Sequence, residues 1–154
     1  MAWWAERFAR WWRKPQKAVP TGVVWHLRVE RDRAAISKLN GRLEQQLHPS
    51  VPEPALRALQ VALDELLTNV VMHADGASGP IDLKLARTVG TLDATVSYFA
   101  DPFDPTAWKA DAPPKTIESA RVGGLGLPLV RALMDEFRHE YADGRNVLHL
   151  KKKC

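Results

Sequence analysis

In the stretch LDELLTNVVMHADG, Leu63 to Gly76, three polar side chains recur at four-residue steps: Glu65, Asn69 and His73. Four residues is close to one turn of helix, so on a helix the three form one stripe. Counted at about 100° per residue from Glu65, Asn69 falls near ~40° and His73 near ~80°. Leu56, Leu59, Leu63, Leu66, Leu67 and Val70 fill roughly 100–200° on the same wheel. The stripe therefore borders the apolar face instead of opposing it. A carboxylate at such a border can act as a base, and an amide oxygen is a ligand that Mg²⁺ accepts beside waters and phosphates. The same trio also suits a half-buried edge with ordinary hydrogen bonds, and spacing leaves both open.

A second set is VGGLGL, Val122 to Leu127, with glycines at 123, 124 and 126. Successive glycines let backbone N–H groups point into one concavity, and a following helix adds its positive end. A phosphate fits such a turn. A tight turn without a ligand is the other use of the same residues.

Both sets need elements to hold them. VVWHLRVE (Val23–Glu30) alternates as a strand. Asp32 to Leu47 has helical spacing through Ile36, Leu39 and Leu43. Ser50 and Glu53 have capping-box spacing ahead of a helix from about Pro52 to His73 or Ala74. GPIDLKLARTVGTLDATVSYF reads as a hairpin turning near Val89-Gly90, and EYADGRNVLHLKKK as another around Asp143-Gly144. Residues 101–122 hold four prolines, Pro102, Pro105, Pro113 and Pro114, and read as a long loop. GGLGLPLVRALMDEF is a glycine-rich turn that opens a helix. The order βααββ(loop)αββ separates helices from a mainly antiparallel sheet, which predicts an α+β two-layer sandwich with the helices on one face.

The 154 residues suit one domain, residues 21–154, preceded by a distinct segment at 1–20. That segment holds five of the 22 basic residues and one of the 18 acidic, so the other 134 residues are neutral at 17 of each. The net charge of +4 thus belongs to a tail, which argues against direct nucleic-acid binding by the domain. In MAWWAERFARWWRK, Trp4, Phe8, Trp11 and Trp12 share one helical face, with Glu6, Arg7, Arg10 and Arg13 opposite. Such a helix lies on a membrane surface, docks on a partner, or packs on its own domain. One cysteine, Cys154, excludes a disulfide framework. With no secretory signal and no apolar run of about 20 residues, a cytoplasmic setting is expected.

Taken together, the motifs resemble a known family. ELLTNVVMHA is similar to the N-box, ExxxNxxxHA, of the GHKL ATPase superfamily. FDP at Phe103–Pro105, a loop, and then GGLGLPLVRALMDEFRHEYADGRNVLHLKK resemble the RsbW-like serine-kinase anti-sigma factors across residues 22–153. The resemblance implies an α/β sandwich of the Bergerat type that holds ATP and Mg²⁺ between its helices and a lid. It implies a homodimeric protein-serine kinase that phosphorylates an anti-anti-sigma (STAS-type) protein and sequesters a sigma factor. Carried over by position, Glu65 is the base and Asn69 the Mg²⁺ ligand, with His73 and Ala74 near the nucleotide. Gly123, Gly124, Leu125 and Gly126 form the phosphate-facing turn, and residues 104–122 the lid.

The chain departs from the family at the adenine-reading box, DxGxPFDP. Aligned on Pro102-Phe103-Asp104-Pro105, Tyr98 stands at the aspartate and Ala100 at the glycine. Asp101, displaced by a bulge, and Asn146 are the two residues available to meet the base instead. Two functions are thus expected of this chain: an ATP-dependent serine kinase with a modified adenine pocket, or a regulator that binds proteins with weak or no nucleotide binding.

Overall fold

The computed structural model describes residues 22–107 and 126–154. Within them the chain runs β1 (Val23–Val29), α1 (Arg33–Leu47), α2 (Glu53–His73), β2 (Ser78–Thr88), β3 (Thr91–Phe99), α3 (Gly126–Leu133), β4 (Glu136–Ala142) and β5 (Arg145–Lys153). The sheet has the order β1-β2-β3-β5-β4, with every neighbouring pair antiparallel. This is the expected α+β architecture. The N-terminal segment 1–20 and most of the expected lid lie outside the described residues.

The helices form where the apolar spacing places them. Asp32 caps α1 by accepting a 2.7 Å hydrogen bond from the Ala35 amide, one of the donors a helix start leaves unpaired. Ile36, Leu39, Leu43 and Leu47 are its buried stripe. The start of α2 differs from the sequence expectation. Pro52 occupies the cap position and makes no side-chain cap bond, so Ser50 and Glu53 form no capping box. The reason lies just upstream: Val51 is buried and its amide donates to Leu47 O at 2.9 Å, which ties residues 48–51 to the end of α1.

On the sheet, alternation selects one face for the core. Leu27 and Val29 on β1, Ile81, Leu83 and Leu85 on β2, Leu92, Ala94, Val96 and Tyr98 on β3, and Leu148 and Leu150 on β5 join one cluster with the helices. Asn146 continues the β5 series at the same face and is 0% exposed. The β4–β5 turn uses positive φ at both central residues, 53° at Asp143 and 76° at Gly144, the pairing a two-residue hairpin requires. That turn fixes the register Tyr141↔Asn146 and His139↔Leu148.

Leu63 sits at the centre of α2 with 0% exposure. Leu63→Ala is expected to destabilise the fold by about 2–5 kcal/mol. Urea unfolding should show this as a lowered midpoint with an unchanged slope.

Candidate functional site

Burial of Leu56, Leu59, Leu63, Leu66, Leu67 and Val70 fixes the rotation of α2 about its axis. With those six facing the sheet, Glu65 and Asn69 are half-buried at the border and His73 is exposed at the last turn. The border meets the start of α3. A Cβ added at Gly126 would run into the Glu65 carboxylate and stand 3.8 Å from Asn69 Nδ2. Glycine is what lets the α3 terminus approach the stripe so closely. The positive end of α3 thereby faces a carboxylate, a favourable arrangement for both.

Beside this contact opens a cavity of about 320 Å³, within the range of small-molecule sites. Helix α2 contributes Asn69, His73 and Ala74 to its wall, β3 contributes Tyr98, and α3 contributes Leu127. The segment after β3 adds Asp101, Phe103 and Pro105. Glu65 and Gly126 stand at the edge of this space and do not line it. Gly123, Gly124 and Leu125 lie outside the described residues.

Tyr98 is 3% exposed, yet the cavity persists beside it, so the ring is part of the wall and not a plug. Burial pushes its phenol up to about 12, which keeps the hydroxyl protonated at neutral pH. Asp101 reaches the wall by a close approach to α2's end. Its amide donates to Asp75 O at 2.9 Å, and its carboxylate lies against Gly76, where a Cβ would meet Oδ1 at 2.7 Å. Gly76 also has a φ of 62°, so two constraints demand glycine there.

Asn146 does not line the cavity. Its amide is spent behind the wall: Nδ2 donates to Asp101 O at 2.8 Å, and Oδ1 accepts from the Phe103 amide at 2.9 Å. Two further residues work beside it that sequence reasoning did not single out. His139 Nε2 lies 2.9 Å from Asn146 Oδ1, and the Tyr141 hydroxyl donates to Ala100 O at 3.1 Å. The signal for Tyr141 was present in the hairpin, since a two-residue turn at Asp143-Gly144 sets it opposite Asn146. His139 also faces Asp104, with Nδ1 3.6 Å from Oδ1. Partial burial alone would raise the Asp104 carboxyl. Hydrogen bonds from Thr106 and the neighbouring His139 outweigh it and hold Asp104 below the usual carboxylate range.

Where α2 meets α3 the donor set is one carboxylate, Glu65, and one amide, Asn69. It fits Mg²⁺, which commonly keeps waters and takes its remaining ligands from phosphates. Among the described residues no group of three or more His, Cys, Asp or Glu gathers into a full metal cage. Nor is any helix among them long and apolar enough to cross a membrane.

Residues 29–152 match the family described as the histidine kinase-like ATPase domain. The chain is 32% identical over 103 residues to the serine-protein kinase RsbW of Listeria monocytogenes, a match covering 63% of this chain and 66% of that protein. To the serine-protein kinase RsbW of Bacillus subtilis it is 31% identical over 99 residues, covering 60% and 62% respectively. The match thus spans just under two thirds of these relatives' length. The fold is also that of the crystal structure of the RsbU and RsbW domains of Rv1364c from Mycobacterium tuberculosis. That likeness has a TM-score of 0.58 at 18% identity, over 84% of this chain and 32% of the other.

The raised Tyr98 phenol yields a pH prediction. Between the unfolded value of about 10 and the folded value of about 12, the native state holds a proton that the unfolded state has lost. Stability from this group is therefore intact below about pH 10 and declines as pH rises toward 12. Urea midpoints measured from pH 9 to 12 should fall more steeply in the wild type than in Tyr98→Phe.

Proposed function

Because the chain belongs to the histidine kinase-like ATPase domain family, we propose that it binds ATP with Mg²⁺ and transfers the γ-phosphoryl group to a serine of a partner protein. The observation that carries this reading is the approach of Gly126 to Glu65 and Asn69 at the edge of the cavity. A carboxylate, an amide and the start of α3 there support a site for a triphosphate and its metal.

In this reading the base and ribose occupy the space walled by His73, Ala74, Tyr98, Asp101 and Phe103. Gly126 offers its backbone N–H to the phosphates, and the family resemblance assigns the same part to Gly123, Gly124 and Leu125. Asn69 would hold Mg²⁺, whose chemistry when bound is to neutralise phosphate charge. Glu65 accepts the proton of the serine hydroxyl as its oxygen bonds to the γ-phosphorus, and the bond to the ADP oxygen breaks. Phosphoryl transfer asks mainly for positioning and charge neutralisation, which these residues are suited to supply.

The RsbW relatives are named as serine-protein kinases. We extend this to an anti-sigma role in the cytoplasm, with a STAS-type antagonist as substrate, a sigma factor as the sequestered partner, and a homodimer as the working unit. We assign residues 1–20 to a separate segment whose spacing of Trp and Phe suits contact with a membrane surface or a partner. A chain beginning at Thr21 should then bind anionic vesicles or partner more weakly than the full chain. Equal binding by both would remove the segment's assigned role.

A second reading is favoured by Tyr98, which replaces the family's adenine-reading aspartate: a regulator that acts by protein binding with weak or no nucleotide binding. Calorimetry with ATP and Mg²⁺ separates the two, and absence of binding at millimolar nucleotide overturns the kinase. If ATP binds, Glu65→Gln should lower phosphoryl transfer by about 10²–10⁴-fold while leaving ATP affinity near wild type. Asn69→Ala should instead weaken binding and remove most of its Mg²⁺ dependence.

A further inference from the structure

Asn146, 0% exposed at a core-facing position of β5, makes three hydrogen bonds, and two of them run to the backbone of one segment. A buried amide without partners would cost free energy, so this one must be satisfied, and the manner of its satisfaction is informative. The Asp101 carbonyl can only accept and the Phe103 amide can only donate, so the orientation of the Asn146 amide is fixed. Oδ1 then faces His139 Nε2, which must carry a proton to bond at 2.9 Å. Nε2–H is thereby committed to Asn146, and Nδ1 is turned toward Asp104. Tyr141 adds a bond to Ala100 O, one residue upstream. Every contact aims at residues 100–104, and Asp101 and Phe103 of that stretch line the cavity.

We infer that Asn146 is a positioning residue whose backbone clamp, braced by His139, sets the base-facing wall of the cavity and so its selectivity among nucleobases. The inference rests on the nucleotide-binding reading above and deepens it. With Tyr98 where the family has an aspartate, the Asp101 carboxylate and the Phe103 ring stand beside Tyr98 and His73 in the wall, and the clamp fixes the backbone that carries the first two. A wall misplaced by about 1 Å can cost on the order of 10²-fold in a well-oriented site. Asn146 and His139 need touch no ligand to have that effect.

Two measurements test this, one of them without nucleotide. In the free protein, amide exchange at Phe103 should accelerate at least tenfold in Asn146→Ala while Leu148 and Leu150 keep their protection. His139→Leu should accelerate it less, and His139→Gln, which retains an N–H donor, should restore the wild-type rate. Unchanged exchange at Phe103, or equal acceleration along β5, overturns the clamp, and His139→Leu against His139→Gln decides it if Asn146→Ala does not fold. For the ligand, the ratio of ATP to GTP affinity should fall roughly tenfold or more in Asn146→Ala, with the Mg²⁺-dependent increment unchanged. An unchanged ratio overturns the selectivity role. If the wild type binds neither nucleotide while Phe103 still responds, the nucleotide reading and the selectivity role fall, and the clamp stands as a device that orders the segment.

Discussion

The rotation of α2 about its axis is the constraint from which the site follows. Ten of its 21 residues are buried, among them six large aliphatic side chains at helical spacing. Each fully buried aliphatic side chain contributes roughly 1.5–3 kcal/mol, so turning the helix by even one position would forfeit several of them at once. The polar stripe has no comparable hold of its own. Glu65 and Asn69 stand at the border because the leucines oblige them to, and Gly126 then permits α3 to close on that border without a side chain in between.

A division of labour follows around the cavity. One side is rigid by packing: α2 and β3 meet through the core, and Tyr98 belongs to it as fully as Val96 does. The opposite side is a stretch of chain that has left the sheet after Phe99 and has no ladder to hold it. Beside the burial of Ala100 and Pro105, it is held by discrete polar bonds to Asp75, Tyr141, Gly144 and Asn146. The edge hairpin β4–β5, which adds little to the apolar core beyond Leu148, Leu150 and Phe137, therefore has a second task in supporting the wall.

What was legible in the sequence divides along the same line. The order of elements, the helix beginning near Asp32 and both hairpins followed from periodicity and turn chemistry, which are local properties. The stripe on α2 was legible because its position relative to the leucines is a matter of helical angle alone. The capping box at Ser50 was misleading, because a tertiary contact at Val51 governs that turn. Asn146 was noticed as a polar residue near the base, but the direction of its side chain depends on a segment 43 to 45 positions away in the chain. Spacing rules do not reach that far. His139 gave no signal for the same reason, since a histidine alternating in a strand looks the same whether it faces solvent or a buried amide.

The support of residues 100–103 is made almost wholly to carbonyl and amide groups, which every residue type possesses, proline's missing N–H aside. The side chains of Asp101, Pro102 and Phe103, all exposed, can accordingly be exchanged without dismantling what holds the stretch in place. Nature or an engineer can thus rewrite the lettering on that surface while the frame stays put, a separation that lets ligand preference drift faster than the architecture beneath it.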